Sequence, residues 1–401
     1  MAHAKKILIL VGDGMGDYAV PELGGRTPLQ AAFIPNMRRI AGAGTVRLIQ
    51  TVPDGMAPGS DVANVSLMGL DPRRYYTGRA PIEAAGADIP MRDRDVAFRC
   101  NLVTITDGII HDHSAGHITT EEARPIIETL QDQLGNDQCR FFVSSGYRHL
   151  LLWDNGPADV ETTPPHDVLG RPAVQYLPRG PRADEVLALM EASQPLLAEH
   201  PTNRNRRASG RSEATQIWLW GQGRRAYLPS YPETFGLRGG VISAVDLLRG
   251  IGRLCGLEVI RVPGATGYLD TNYAGKVQAA LDLLRRHDFA FLHVEAPDEC
   301  GHAGNLALKL QAIEAFDREV VGPAWRGLEV MGQPYRLLLC TDHRTPVSVR
   351  NHTTEPVPLA VLDGPLSTPA VREAPFDETV NGGRAQSLAF EWIARNLAPD
   401  P

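Results

Sequence analysis

Lysine is nearly missing from this chain. Lys5, Lys6, Lys276 and Lys309 are the only four among 40 basic residues. The positive charge is therefore almost all guanidinium, which grips phosphate and carboxylate with a planar fork of donors; codon bias is the plainer explanation of the same fact. A net positive charge is missing too. The formal value of -7 argues against nonspecific nucleic-acid binding, which needs a basic face, yet leaves room for a local anion site. The five cysteines, at 100, 139, 255, 300 and 340, include no C-x-x-C pair, and reduced thiols in a cytoplasm are expected. No apolar run approaches the roughly 18 residues of a membrane span. Ile7 to Val11, behind Lys5 and Lys6, is too short for a signal-peptide core, so a soluble cytoplasmic protein is expected. A phosphate loop ending in Gly-Lys-Ser or Gly-Lys-Thr is also lacking, so any nucleotide would have to bind by other means.

The 401 residues have room for two or three domains of about 100–200 residues each. Lys6 to Val11 is a short continuous apolar run ending in Gly12-Asp13-Gly14-Met15-Gly16-Asp17, which reads as a buried parallel strand stopping at a carboxylate. The glycines imitate a dinucleotide fingerprint. The last glycine of that pattern would fall at Asp17, however, and the second strand, Val46 to Val52, does not end on a ribose-binding acid, so a Rossmann site is set aside. Pro35 to Ala43 reads as a helix opened by proline and stopped by Gly44. After the loop from Gly55 to Gly59, Ser60 opens a run with helical spacing through Val62, Val65, Leu67 and Met68, ending near Gly69. A serine there is ordinarily an N-cap. A hydroxyl at a helix N-terminus is also well placed to attack phosphorus and carry a phosphoryl group, provided a base or a metal activates it.

From about Ala87 the texture changes. Val96 to Thr106 alternates like a strand and turns at Asp107-Gly108. Thr119 to Leu134 reads as a helix with a capping box, Arg140 to Ser144 and Arg148 to Trp153 as a strand pair, and Arg182 to Glu199 as a helix. From Ile217 a βα rhythm resumes: helices at Ser243 to Cys255, Gly275 to Arg286, Ala307 to Val321 and Gln386 to Leu397, strands at Glu258 to Val262, Phe289 to Val294, Tyr335 to Cys340 and Pro358 to Val361. The expected fold is a mostly parallel, helix-covered α/β sheet built from residues 1–86 and 213–401, with an α+β domain of 87–212 inserted.

Predicted strand ends carry the chemistry. Phe289 to Val294 is followed by Glu295, Asp298 and His302, the last two spaced for one helical turn. Tyr335 to Cys340 is followed by Asp342 and His343, and His352 precedes Pro358. Taken singly, such residues usually cap helices or sit on surfaces. Together Asp13, Asp298, His302, Asp342, His343 and His352 form a mixed oxygen and imidazole set suited to one or two divalent metals, and Ser60 can join them. Mn is the first expectation and Zn the second, with Mg also compatible.

The segments Gly12-Asp13-Gly14, Gly59-Ser60-Asp61-Val62-Ala63-Asn64, His293 to His302, Asp342-His343 and His352 resemble the alkaline phosphatase superfamily. More narrowly the chain resembles the archaeal-type cofactor-independent phosphoglycerate mutases, nearly end to end. That resemblance implies two metals, one surrounded by Asp13, Ser60, Asp342 and His343, the other by Asp298, His302 and His352. It implies that Ser60 takes the phosphoryl group from phosphoglycerate and returns it to the neighbouring hydroxyl of the retained glycerate, under an inserted lid domain. The chain departs from the family pattern after His352, reading Thr353-Thr354-Glu355-Pro356 where Ser-Gly-Asp-Pro is common. Similar bacterial sequences look like a subgroup proposed to phosphorylate homoserine. A homoserine kinase-like phosphotransferase or a phosphomonoesterase on the same site is therefore the alternative; a noncatalytic metal-binding protein has no need of the full ligand set. Phosphate and carboxylate on one substrate call for several guanidinium or imidazole groups, and the candidates are His113, Arg148, His149, His166, Arg206, Arg224 and Lys276. His113 and His117 are spaced like metal ligands, but their loop lacks strand-end company. No nucleic-acid or membrane partner is expected, and the oligomeric state is not legible.

Overall fold

A computed structural model describes residues 5–368 and 372–398. The chain forms two compact units, one from the segments up to Tyr76 and from Leu228 onward, the other Thr77–Tyr227.

The first unit is an eight-stranded sheet in the order Ser387–Leu388, Thr45–Gln50, Val357–Gly364, Tyr335–Cys340, Lys6–Gly12, Phe289–Val294, Gly239–Ile242, Glu258–Ile260. Lys6–Gly12 lies parallel to both Tyr335–Cys340 and Phe289–Val294, with Val11 opposite Cys340 and Gly12 opposite Val294. The continuous apolar runs of these three strands follow from burial on both faces. Leu8, Leu10, Leu292, Leu337 and Leu339 pack with Met37, Ile40, Leu283 and Phe316, while the alternate residues Ile9, Phe291 and Leu338 are equally buried. The direction of the strands places the chemistry. Val357–Gly364 runs against both of its neighbours, so its N-terminal end, and the C-terminal end of Thr45–Gln50, lie at the same sheet edge as the C-terminal ends of the three central strands. Segments carrying Asp13, Ser60, Asp298, Asp342 and His352 all leave or enter the sheet at that edge, where open α/β sheets hold their sites. The expected α/β sheet is thus present.

Several details differ from expectation. Beyond the expected elements, the stretch after Gly69 contains the short helix Pro72–Tyr75. The helix expected to end at Val321 leaves α geometry at Phe316, passes through a π turn at Phe316–Val321 and continues as Gly322–Met331. Inside that turn Asp317 accepts from the backbone N–H groups of Asn36 and Met37, at 3.2 and 2.7 Å, capping the helix Pro35–Ala43.

The second unit is an antiparallel sheet. Asp95–Thr106 is flanked by Arg148–Asp154 on one side and Gln216–Arg224 on the other, Cys139–Ser145 lies beyond Arg148–Asp154, and Ile109–Asp112 pairs with the end of Asp95–Thr106. The helices Thr120–Leu134 and Ala183–Ala198 cover one face, and the capping box forms between Thr119 and Glu122. This unit is wider than the expected 87–212 because the helix Arg79–Gly86 packs Ala80 and Ala84 on its other face and Gln216–Arg224 completes its sheet.

Candidate metal centre

Ser60 is the first residue of the helix Ser60–Leu67 and the N-cap is Gly59; among the described residues the serine hydroxyl pairs with His343 rather than with a helix N–H. The capping role is therefore corrected. Gly59 is extended and needs no side chain, which leaves the Ser60 hydroxyl to lie 3.1 Å from His343 Nε2. One turn on, Asn64 Nδ2 donates to the Ser60 carbonyl at 2.9 Å and to Asp342 Oδ2 at 2.8 Å.

Two groups gather at this edge. In the first, His343 Nε2 lies 3.4 Å from Asp13 Oδ1 and 3.3 Å from Asp342 Oδ2, and Asp342 Oδ1 is held by the backbone N–H groups of Gly14 and His343. In the second, His302 Nε2 is 3.3 Å from Asp298 Oδ2 and 2.9 Å from His352 Nε2, and His352 Nε2 is 3.5 Å from Asp298 Oδ1. The helix Ala296–His302, opened by Pro297, sets Asp298 and His302 one turn apart. Gly14 lies between the groups with φ of 61°, and a Cβ there would come within 2.6 Å of Asp298 Oδ1; only glycine satisfies both demands.

The electrostatics fit cations. Burial, reinforced by the charges of Asp342 and Asp298, pushes the Asp13 carboxyl well above its ordinary range, and burial raises Asp342. Among the described residues Asp13 Oδ1 is buried without a hydrogen-bond partner, a costly state for a carboxylate that a divalent ion relieves. Burial holds His343 well below the usual histidine value, in the neutral form that ligates metals. Against the penalty of burial, His302 and His352 hold Asp298 well below the carboxylate range, and His302 itself rises to about 9 beside Asp298. Ligand-type atoms of Asp298, His343 and His352, and of Asp13, His293 and Asp342, lie within 4.8 Å of one another.

The family model for 2,3-bisphosphoglycerate-independent phosphoglycerate mutase matches residues 41–203. A Methanothrix thermoacetophila protein of that name is 51% identical over 373 residues, 93% of this chain and 94% of its own. The chain belongs to the 2,3-bisphosphoglycerate-independent phosphoglycerate mutase family. A Geobacter sulfurreducens protein named as a probable member is also 51% identical, covering 96% of this chain and 97% of its own. Among solved structures, a Pyrococcus horikoshii protein superposes with a TM-score of 0.80 at 28% identity over 99% of this chain and 98% of its own. A cofactor-independent phosphoglycerate mutase from Thermoplasma acidophilum gives 0.59 at 26% identity, covering 98% of both.

The substrate candidates of this mutase-family chain divide. Within the second unit, His113 stacks edge-on to Tyr147 at 5.3 Å and lies 6.0 Å from His166, Arg148 lies over Tyr147 at 4.8 Å, and His166 packs against Trp220 at 5.2 Å. Arg99 and Arg79, which sequence reasoning missed, join this cluster over Trp220 at 4.5 and 5.8 Å and both pair with Glu83. His149 is not with them. Neighbours on a strand face opposite ways, and His149 is buried, accepting from the Ser144 N–H, with a pKa pushed down to about 3 by burial. Arg206 is buried too. Its guanidinium donates to Ser212 O, Glu122 Oε2, Ala115 O and Gly116 O, so it braces the His111 to His117 loop. That loop is a turn built on Asp112, which accepts from Ser114 and Gly116. Arg224 is exposed at the end of its strand, opposite Val96. Lys276 belongs to the first unit, where its buried Nζ donates to the His293 carbonyl at 3.3 Å.

Sequence reasoning placed His293 in a matching segment but gave it no role, and it missed Thr345; His293 Nε2 lies 2.8 Å from Asp13 Oδ2, and Thr345 bonds Asp298. The signal for His293 was available: it is the polar residue inside an otherwise apolar strand, FAFLHV.

Proposed function

We propose that this protein interconverts 3- and 2-phosphoglycerate without added 2,3-bisphosphoglycerate, through a phosphorylated Ser60. The observation that carries the reading is that His343 Nε2 lies 3.1 Å from the Ser60 hydroxyl and within 3.4 Å of Asp13 and Asp342, residues from segments otherwise far apart in the chain. Asp13, Ser60, Asp342 and His343 would hold one divalent ion, and Asp298, His302 and His352 the other, with Mn the first choice and Zn or Mg next. Bound there, such ions lower the pKa of a hydroxyl and neutralise charge developing on a phosphoryl group.

The chain's own residues do the rest. The Ser60 oxygen forms a bond to phosphorus as the substrate's C–O–P linkage breaks at the P–O bond, and the proton lost by the serine is made up on the released glycerate hydroxyl. The neighbouring glycerate hydroxyl then attacks the phosphoserine in the same way, restoring Ser60. Asn64 fixes the first turn beneath the nucleophile. Within the second unit, Arg148, His113 and His166, with Arg79 and Arg99, form a cluster of the forked and imidazole donors that a phosphate and a carboxylate need. The family relatives named above, acting by name as phosphoglycerate mutases, support this choice of substrate.

The test is a coupled mutase assay on purified protein with Mn, with and without chelator, beside a parallel assay with ATP and homoserine. Mutase turnover that stops with chelator and in Ser60→Ala is expected. Normal turnover by Ser60→Ala removes the mechanism, and homoserine phosphorylation in place of mutase activity moves the substrate.

A further inference from the structure

Thr345 lies between the two groups of the centre and is fully buried. Its Oγ1 is 2.5 Å from Asp298 Oδ1 and 3.2 Å from His343 Nδ1. A hydroxyl has one proton. An ionised carboxylate can only accept, so that proton goes to Asp298 and the oxygen is left to accept from His343 Nδ1–H. The tautomer of His343 is thereby fixed with its lone pair on Nε2, the atom that faces Ser60 Oγ, Asp13 Oδ1 and Asp342 Oδ2. The backbone of Thr345 is itself pinned: its N–H donates to Gly16 O at 3.0 Å, and its carbonyl accepts at 2.7 Å from Lys309 Nζ, which also binds Gly16 O and Asp17 Oδ2. Gly14 packs against the same hydroxyl, so closely that a Cβ would meet it at 2.6 Å.

We propose that Thr345 is a positioning residue that serves both cation groups at once, orienting Asp298 in one and holding His343 in its ligating tautomer in the other. The inference rests on the two-metal reading above. Hydroxyl and carbonyl partners of metal ligands commonly set affinity by about 10- to 100-fold, and here one side chain acts on both sites.

The experiment titrates Mn2+ into the metal-free full-length protein, following free Mn2+ by its paramagnetic resonance signal, for the wild type, Thr345→Val and Thr345→Ser. Thr345→Val is expected to weaken both ions by about 10- to 100-fold, and Thr345→Ser, which keeps the hydroxyl, to stay within about threefold of wild type. Thermal unfolding in chelator separates this from a packing defect, because a merely structural role lowers metal-free stability and leaves the Mn2+ affinities alone. Two wild-type ions bound equally well by Thr345→Val overturn the inference while sparing the two-metal reading. Failure of Thr345→Ser to recover affinity also overturns it. A wild type that takes up no Mn2+ overturns the two-metal reading, and this inference with it. Should Thr345→Val not fold, Thr345→Ala carries the same expectation.

Discussion

His293 Nε2 lies 2.8 Å from Asp13 Oδ2, and the other face of the ring meets Ser243 Oγ at 3.3 Å. An ionised carboxylate only accepts, so the imidazole donates from Nε2 to Asp13, Nδ1 is left with its lone pair, and the Ser243 hydroxyl, which accepts from the Val245 N–H, donates to it. Burial holds the His293 pKa down to about 4, which keeps the ring neutral. One oxygen of Asp13 is thus occupied and the other, Oδ1, lies 3.4 Å from His343 Nε2. Replacing His293 with Leu is expected to lower Mn2+ affinity about 10- to 100-fold, while Gln, which retains an N–H donor, recovers part of it. The dependence of mutase rate on Mn2+ concentration reads both, and an unshifted curve for the Leu variant removes His293 from this role.

Ser60→Ala separates chemistry from stability. Replacing a capping serine with alanine costs typically about 1 kcal/mol, but here Gly59 is the N-cap and the serine hydroxyl pairs with His343. The expected result is abolished turnover with an unfolding midpoint within a degree or two of wild type, measured by calorimetry. A loss of stability of about 1 kcal/mol or more restores the capping role to the side chain.

What the sequence made legible was what local chemistry dictates. The runs before Asp13 and Asp342 are continuous and apolar because those strands are covered on both faces, and the Thr119–Glu122 capping box is a local signal that forms as read. Gly239–Ile242 passed unnoticed because two of its four residues are glycines, which carry no strand preference and allow the close approach of Phe289 on the neighbouring strand. His293 and Asp13 are 280 positions apart, a pairing that no spacing rule reveals. Arg206 looked like any basic residue near a site because three of its four acceptors are backbone carbonyls, which leave no trace in side-chain pattern. Register and alternation decided the rest: Arg148 and His149 are adjacent, and the strand sends them to opposite faces.

Lys276 gives the stability a defined pH dependence. Burial lowers its pKa from 10.5 to about 8, although Glu295 favours the charged form. The folded state therefore disfavours the proton that the unfolded state keeps. Below about pH 8 the charged lysine destabilises the fold; as pH rises from about 8 toward 10.5 the folded lysine is neutral while the unfolded one is still shedding its proton, and the penalty disappears. Lys276→Met is accordingly expected to be more stable than wild type at pH 7, by a margin on the order of 3 kcal/mol or less, that narrows above pH 8 and closes near 10.5. Urea midpoints of the two proteins across that range decide it, and a constant offset rules it out.

Arg148 and Arg206 were both read as substrate groups, and their environments predict opposite behaviour. Arg206 is 1% exposed and fastens Glu122 and three backbone carbonyls within its own unit. Removing the guanidinium leaves buried acceptors without donors, each costing about 1–3 kcal/mol. Arg206→Ala is therefore expected to lower the unfolding midpoint by several degrees, and Arg206→Lys to recover little, because a point charge cannot reach donors in several directions. Arg148 instead lies over Tyr147 beside His113 in the aromatic and basic cluster. A charge-assisted bond to an anionic substrate is worth about 1.5–3 kcal/mol, so Arg148→Ala is expected to lower kcat/KM by roughly 10-fold to 100-fold with an unchanged midpoint. Steady-state kinetics and calorimetry on the same two preparations make the comparison. A raised KM with intact stability in Arg206→Ala returns that residue to the substrate site, and unaltered kinetics in Arg148→Ala take Arg148 out of it.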